Sequence, residues 1–400
     1  MRTPRILLLL LFVSAPVHAQ LAVRGATVHT MAGDPIADGV VLIEDGRVER
    51  VGPASEVDVP SDYEMLEAEV VLPGLIDARS VVGLAGQFNV DADQDQLEAS
   101  EAIQPELRAI DAFNVRERLV GWVRDLGVTT LHTGHGPGKV VSGRTMVVKT
   151  AGENADAAAL ATGVMVAATL GDGATESGRT VPGTRSKAVA ILRQNLIDAR
   201  EHVEKHDPDR NLRLETLARV LDGEVPLVIT AHRHQDILSA LRLQREFGFR
   251  LVLDGASDAH LVLDEIAEAG VPVFVHPTMT RPGRPGSVSE TENVTVTMPA
   301  QLAAANIPFA FQSGFESYVP KTRVVLFEAA MAVAYGLDEE AALRALTIVP
   351  ASILGVDDRV GSLEPGKDAD LALFDGDPFE YTTHCVGVVI DGEIVSRQAK

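Results

Sequence analysis

The chain has 400 residues but only one cysteine, Cys385, and aromatic residues make up only 4% of the sequence. A single cysteine excludes an intramolecular disulfide, and it also excludes a zinc site built from several thiolates. Cys385 stands at the start of a strand-like segment near the C-terminus. We therefore expect it to be a small buried apolar residue rather than a reactive one.

Basic residues are also scarce. Lys and Arg number 35 against 57 Asp and Glu, which gives a formal net charge of −22 and a pI near 4.9. Nucleic acids and anionic membranes bind to basic protein surfaces, so neither is an expected partner. The composition is 46% hydrophobic, which is enough for the core of a barrel with a small accessory domain.

No apolar run in the sequence is long enough to cross a bilayer well, but the first twenty residues are typical of an export signal. Arg2 and Arg5 flank the start of an apolar run from Ile6 to Val17, and Ala19 is the small residue expected at a cleavage site. We expect residues 1–19 to be a signal peptide. The mature protein is then secreted or periplasmic, with no membrane contact after cleavage.

The rest of the chain is β-rich at both ends and alternates in the middle. Asp45-Gly46 and Asp391-Gly392 each separate two strand-like segments, which is typical of a two-residue hairpin turn. Between the ends, strand-like and helix-like segments alternate, as a parallel β/α barrel requires. The stretch Val71–Gly83, VLPGLIDARSVVG, predicts a strand that ends the small domain, a tight turn, and the first buried strand of the large domain.

Val71–Gly83 resembles the motif PG-[LFI]-ID-x-H-x-H of the amidohydrolase superfamily, and GSLEPGKDADLALF at 361–374 resembles the C-terminal segment of that family. The resemblance covers nearly the whole mature chain and favours the imidazolonepropionase-like branch. It implies an α/β fold, a distorted TIM (β/α)8 barrel with a small β-sandwich built from the N- and C-terminal segments. The implied boundaries are 73–356 for the barrel and 20–72 with 357–400 for the sandwich.

The resemblance also implies an activity, hydrolysis of a C–N bond in a cyclic amide or peptide-like substrate by a metal-bound hydroxide. Members of the family hold two metal ions with histidines and an aspartate at the ends of the barrel strands. The corresponding positions of this sequence carry other residues: Arg79 and Val81 on strand 1, Thr230 on strand 5, Gly255 on strand 6 and Gly314 on strand 8. We therefore expect the usual binuclear site to be missing and no metal cofactor to be bound there.

Other polar residues follow predicted strands, and the C-terminal ends of barrel strands line the mouth where chemistry occurs. The candidate catalytic residues are His132, His135, His232 and Glu316, and the candidate substrate-binding residues are Asp77, Arg79, Lys149 and His276. Imidazole is a ligand for zinc, so zinc is expected only if these histidines form a relocated site. The alternative is that they are loop histidines held by hydrogen bonds.

Lys149 and the aspartates that follow strand 6 can each have a structural role instead of a role in the site. Lys149 corresponds to a lysine that some members of the family carboxylate as a metal bridge, and a surface or salt-bridged lysine is the other reading. Asp254 and Asp258 follow strand 6, where we expect them to cap the next helix.

Arg79 is the one new charge among the substituted positions. Small residues at the other positions open space while a cation remains, which suits a ligand with a carboxylate held by a bidentate arginine contact. The alternative is that Arg79 pairs with Asp77 or Glu316 and plugs the barrel.

Two functions therefore remain open. In the first, the protein is a hydrolase with a rebuilt site, as the whole-chain resemblance favours. In the second, which the missing ligands favour, it is a non-catalytic homologue that binds a small molecule or serves as the partner subunit of an active amidohydrolase. Either protein can act as a homo-oligomer or in a complex with such a paralogue.

Overall fold

The structure, a computed structural model, describes residues 20–88, 90–175, 182–205, 209–276, 290–315 and 325–399. The expected signal peptide and Glu316 lie outside the described residues. Within those ranges, no helix is both long enough and apolar enough to cross a membrane.

The described residues form two sheets and the helices that surround them. The strands are β1 (Leu21–Val28), β2 (Ile36–Glu44), β3 (Arg47–Pro53), β4 (Glu64–Pro73), β5 (Leu75–Ser80), β6 (Val128–Thr133), β7 (Val141–Lys149), β8 (Ala159–Thr169), β9 (Leu227–Ala231), β10 (Leu251–Gly255), β11 (Val273–Val275), β12 (Phe309–Phe311), β13 (Leu371–Phe374), β14 (Cys385–Ile390) and β15 (Glu393–Ser396). The α-helices are α1 (Arg118–Asp125), α2 (Ala155–Ala158), α3 (Arg185–Glu204), α4 (Leu212–Leu221), α5 (His234–Phe247), α6 (Leu263–Ala269), α7 (Met298–Ala304), α8 (Val325–Ala334), α9 (Glu339–Ala345) and α10 (Ile348–Leu354).

The smaller sheet contains both ends of the described chain, in the order β15-β14-β13-β4-β1-β2-β3. Both predicted hairpin turns form. The φ angles of Asp45 and Gly46 are 49° and 77°, and those of Asp391 and Gly392 are 50° and 75°, as this type of turn requires. The two turns touch, because a Cβ on Gly392 would lie 2.8 Å from Cα of Gly46. The sheet therefore curls until its two ends meet.

A separate apolar core fills the curled sheet. β4 pairs antiparallel with β13, so that Val71 lies opposite Leu373 and the two halves of the domain become one sheet. Side chains from both halves, including Leu21, Ile43 and Leu371, are buried together inside it. The predicted composite domain of N- and C-terminal segments is confirmed.

The larger sheet is the barrel, and its strands follow chain order from β5 to β12. β5 pairs parallel with β6, and β8 to β12 also pair parallel with one another. Ser80 forms a parallel bridge with Gly314, which brings the two ends of the sheet together. The expected distorted TIM barrel is confirmed.

The distortion lies in β7, which is antiparallel to both of its neighbours, β6 and β8. The connections at 134–140 and 150–158 are shorter than the crossover of a dozen or more residues that parallel strands need. The sequence pattern did not predict β8. Because β7 is reversed, its C-terminal end lies at the end of the barrel opposite the mouth.

Lys149 ends β7, so the structure does not bring it together with the other predicted substrate-binding residues at the mouth. The lysine is 4% exposed. Its Nζ lies 2.8 Å from Oδ2 of Asp368 and 3.1 Å from Oδ1 of Asp370, and it also donates to Asp391. Burial lowers the pKa of Lys149, but the charges of Asp370 and Asp391 outweigh that effect and the pKa is raised. Lys149 is therefore a salt-bridged lysine that joins the barrel to the small domain.

Replacing Lys149 tests this junction. We expect Lys149→Met to lower the free energy of unfolding by roughly 3–5 kcal/mol at pH 8, because Asp370 is then buried without its cation. Urea unfolding followed by circular dichroism measures the loss. The control Lys187→Met, at an exposed position of α3, should change stability by no more than about 0.5 kcal/mol. Equal effects of the two substitutions would contradict a structural role for the Lys149 cluster.

Candidate active site

Asp77 of β5 closes the barrel against the segment that follows β12. It is 1% exposed and accepts hydrogen bonds from the backbone N–H of Ser313 (3.0 Å) and from the Ser313 hydroxyl. It also accepts from the backbone N–H of Arg79 (3.3 Å). Burial raises the pKa of Asp77 to about 7, although the bonds from Ser313 oppose the shift. The structure thus places Asp77 in the barrel closure, with its oxygens already used, rather than in contact with a substrate.

Arg79 places a buried cation in the mouth, where it is 1% exposed. Nη2 donates to the backbone oxygen of His135, and Cζ lies 5.0 Å from the ring centre of Phe315. Among the residues that the structure describes, Nε and Nη1 have no hydrogen-bond partner. Burial lowers the pKa of Arg79 to about 10, against the effect of Asp254 and Asp77. The guanidinium remains charged at neutral pH and still has N–H groups to donate.

His132 is buried, and both of its ring nitrogens have hydrogen-bond partners. It is 0% exposed, with Nδ1 2.6 Å from the backbone oxygen of Ala78 and Nε2 2.7 Å from Oγ1 of Thr145. Burial, together with the charge of Arg79, lowers the pKa of His132 to about 3. The ring is neutral and neither nitrogen is left for proton transfer or for a metal ion.

His135 differs from His132, because both of its ring nitrogens lack a hydrogen-bond partner in the part of the chain that the structure describes. It is 5% exposed and packs against Gly143, on which a Cβ would lie 2.3 Å from Cδ2 of the ring. Burial and the charge of Arg79 lower the pKa of His135 to about 4, so the ring is neutral. Its backbone oxygen holds Arg79. The two side chains therefore present neighbouring polar atoms without partners.

Histidine rings fill the space beside two glycines of the mouth. A Cβ on Gly255 would lie 2.5 Å from Cε1 of His232, and a Cβ on Gly314 would lie 2.4 Å from Cε1 of His276. The φ angles of these glycines are 75° and 85°, a region that residues with side chains rarely adopt. A ligand side chain at either position would have to displace a ring and accept a strained backbone.

Each of these rings contacts a second side chain. Nδ1 of His232 lies 2.8 Å from Oγ of Ser257, and Nε2 of His276 lies 3.4 Å from Oε1 of Glu328. The sequence analysis did not identify Glu328, which is 0% exposed. It is the only charged residue in α8, VLFEAAMAVA. A single charge in an apolar helix is the signal that would have revealed it.

Asp254 joins three strands of the barrel and does not cap the next helix as predicted. It is 0% exposed and accepts hydrogen bonds from Oγ1 of Thr230 (2.5 Å) and Nε2 of Gln312 (2.6 Å). Burial raises the pKa of Asp254, and the nearby charge of Arg79 opposes the shift. The carboxyl group is therefore a buried part of the framework under the mouth.

The residues of the mouth do not fit the binuclear metal site of the family. Arg79 is a cation that cannot serve as a ligand, Val81 is apolar, and Gly255 and Gly314 have no side chain. The hydroxyl of Thr230 donates to the carboxylate beside it. Within the part of the chain that the structure describes, no three His, Cys, Asp or Glu residues are grouped so as to hold a metal ion.

Known proteins share this fold over the whole chain. Residues 313–395 match the model of the amidohydrolase family. The crystal structure of an amidohydrolase from Thermotoga maritima MSB8 covers 95% of this chain and 100% of its own, with a TM-score of 0.86 and 28% sequence identity. The chain belongs to the amidohydrolase superfamily.

Curated amidohydrolases are similar in sequence as well. Amidohydrolase tasK from Hapsidospora irregularis is 26% identical over 399 residues, a match that covers 88% of this chain but only 39% of tasK. Imidazolonepropionase from Rhizorhabdus wittichii is 23% identical over 389 residues, covering 88% of this chain and 92% of that enzyme. Within the superfamily, the chain is placed in the imidazolonepropionase-like branch.

The packing of His276 on Gly314 can be measured. Gly314→Ala adds a methyl group that collides with the ring, and overpacking of this kind costs roughly 1–3 kcal/mol. The matched control is Gly366→Ala, because Gly366 has a φ of 90° and open space beside it. We expect Gly314→Ala to lower the free energy of unfolding by at least about 1 kcal/mol more than the control. Equal losses in chemical unfolding would show that the ring moves aside and leaves room for a ligand side chain.

Proposed function

We propose that this amidohydrolase-superfamily protein is exported and binds, at the barrel mouth, a small molecule that carries a carboxylate held by Arg79. We also propose that it does not use the metal-bound hydroxide of its family. The observation that supports binding is the buried guanidinium whose Nε and Nη1 have no partner within the described ranges of the chain. Unpaired polar and charged groups inside a protein are costly, and a carboxylate would satisfy both the charge and the N–H groups.

His135 suggests what else the ligand carries. Its neutral ring has one nitrogen that donates and one that accepts a hydrogen bond, and neither has a partner among the described residues around Arg79. An amide offers the matching N–H and C=O groups. The similar enzyme imidazolonepropionase is named for a cyclic amide that bears a propionate. We therefore propose N-acyl amino acids and cyclic amides with a carboxylate as the ligand class.

The alternative, in which Arg79 plugs the barrel by pairing with Asp77, has less support. The oxygens of Asp77 accept from Ser313 and from the backbone N–H of Arg79, not from its guanidinium. The other partner named for the plug, Glu316, lies outside the described residues. A guanidinium that only filled the barrel would also be expected to use its Nε and Nη1 groups.

Binding can be tested by thermal shift. We expect hydantoin-5-propionate or N-acetyl-L-amino acids to raise the Tm of the wild type, by a stabilisation of about 1.4 kcal/mol at roughly ten times Kd. Arg79→Met replaces the guanidinium with an uncharged, apolar side chain that still fills much of the space. We therefore expect this variant to show no rise in Tm with the probes. Arg193→Met, which removes a surface arginine paired with Glu246, should keep it.

The same preparation tests the metal part of the proposal. Protein purified without chelator should contain well under one zinc, manganese or iron ion per chain by elemental analysis, and EDTA should leave the thermal shift unchanged. A wild type that no probe stabilises, or an Arg79→Met variant that still responds, would contradict carboxylate binding. Stoichiometric metal would contradict the metal-free mouth.

Asp77 makes binding depend on pH. Its pKa of about 7 means that it loses its proton near neutral pH in the folded protein, and the ionised carboxylate then opposes a second carboxylate beside Arg79. We expect ligand affinity, measured by calorimetry, to fall between about pH 6 and about pH 8. Asp77→Asn should flatten this dependence, and an unchanged slope would exclude Asp77 as its cause.

The raised pKa of Asp77 also determines how the stability of the protein depends on pH. The folded pKa of Asp77 is above the unfolded value of 3.8, so the folded state binds this proton more tightly than the unfolded state does. The stability that Asp77 contributes is therefore full below the unfolded pKa and is lost as the pH rises through about 7.

A further inference from the structure

Residues 290–293, which we call the clasp, touch the loops that follow β8 and β10 at the mouth of the barrel. At one end of the clasp, the carboxylate of Glu290 accepts hydrogen bonds from the backbone N–H groups of residues 172–173, in the loop after β8. At the other end, Nδ2 of Asn293 donates to Oδ1 of Asp258 (3.2 Å), in the loop after β10. Since β9 lies between these two strands in the sheet, the clasp bridges part of the mouth.

The half-buried side chain of Glu290 fits against a glycine of the loop after β8. A Cβ on Gly171 would collide with Oε1 of Glu290 and would lie 2.7 Å from Oδ2 of Asp236, in the first turn of α5. The φ angle of Gly171 is 98°, a region that residues with side chains rarely adopt. The clasp, the loop after β8 and the start of α5 therefore meet at one position.

Glu290 approaches two carboxylates that share an arginine. Arg185 of α3 donates to Asp172 and, from Nε, to Asp236 (3.0 Å). Within the described ranges, the charged groups around this contact are two arginines and three carboxylates: Arg185, Arg233, Asp172, Asp236 and Glu292. When Glu290 is ionised, it adds a negative charge to a cluster in which carboxylates already outnumber arginines, and like charges at close range favour the protonated form.

Protonation of Glu290 therefore changes how firmly the clasp holds. Burial, together with the charges of Asp172 and Asp236, raises the pKa of Glu290 to about 6, although the N–H groups that it accepts from oppose the shift. In an open clasp the side chain enters water, where its ordinary pKa is 4.5. The closed clasp thus binds the proton more tightly than the open one. Its hold is full below pH 4.5 and is lost as the pH rises through about 6.

We propose that residues 290–293 form a pH-sensitive clasp over the barrel mouth, in which Glu290 holds the loop after β8 at acidic pH and releases it as the pH rises towards neutral. Two geometric features support this device. The carboxylate sits on two successive backbone N–H groups, and Gly171 leaves it the space to do so. Opening a segment of this kind gives small molecules easier entry to a site. The inference does not rest on carboxylate binding by Arg79.

Hydrogen exchange measures the clasp directly, because the two N–H groups that donate to Glu290 become exposed when it opens. The mature full-length chain is exchanged between about pH 4.5 and about pH 7.5, and the protection of residues 172–173 is expressed relative to the unfolded-chain rate at each pH. We expect the wild type to lose protection by up to about 30-fold over this range, since each unit of pKa shift is worth about tenfold. The amide of Leu253, which donates to the backbone oxygen of Pro272 (3.0 Å) inside the barrel, should stay more protected throughout.

Two substitutions of Glu290 separate its charge from its contact. Glu290→Gln keeps the shape and cannot ionise, so the protection of residues 172–173 should no longer change with pH. Glu290→Ala removes the contact, so protection should be low over the whole range. The matched control is Glu265→Gln, which removes a carboxylate at an exposed position of α6 and should keep the wild-type profile.

A wild type whose protection at these two amides does not change with pH would overturn the proposal, and so would a Glu290→Gln variant that keeps the wild-type dependence. The second result would assign the dependence to the neighbouring carboxylates or to His234, whose Nδ1 lies 3.2 Å from Asp258 at the other end of the clasp. Equal protection of Leu253 and residues 172–173 would show that the whole barrel opens, which would also contradict a separate clasp.

Discussion

The side chain of Asp77 supports the closure of the barrel. β5 and the segment after β12 share a single backbone bridge at Ser80 and Gly314, and Asp77 adds two hydrogen bonds from Ser313 on the opposite side. The site depends on this closure, because the same segment fixes the backbone of Arg79. If the closure opened, the guanidinium would no longer point into the mouth. The carboxyl group of Asp77 therefore helps to determine where the cation of Arg79 stands.

The mouth is a set of mutually dependent substitutions rather than a metal site with pieces missing. Gly255 and Gly314 give room to the rings of His232 and His276, and Arg79 supplies a permanent positive charge. Reintroducing one metal ligand would not restore the family site, because the new side chain would meet a ring and the metal would meet a cation. Residues that share space or charge do not act additively. Changing one of these residues alone would therefore create a steric clash or bring two positive charges together.

Local patterns predicted much of the fold. Asp45-Gly46 and Asp391-Gly392 form hairpin turns because positive φ at two successive positions is a local property of those residues. Val71–Gly83 likewise contains an apolar run, a turn and a second run that became β4 and β5. The direction of β7 was missed, and Lys149 was placed at the wrong end of the barrel. The short connections around β7 contained that information.

The site was harder to predict, since it depends on contacts between distant segments. Sequence position placed His132 and His135 after the same strand, yet one has both nitrogens bonded and the other has neither. The partners of His132 are Ala78 and Thr145, which become its neighbours only when the strands pair. The contact between His276 and Glu328 joins two segments in the same way.

The pairing of β4 with β13 has a consequence for how the chain reaches its folded state. Val71 and Leu373 stand near opposite ends of the sequence, so β4 is an unpaired edge until the last part of the chain has been synthesised. Exposed edges pair readily with other chains, and contacts between distant segments form slowly. If the chain is exported unfolded, as our proposal of export allows, this stage is postponed until both ends are present in the same compartment. The pairing of β4 with β13 can therefore form only after residues 371–374 have been synthesised.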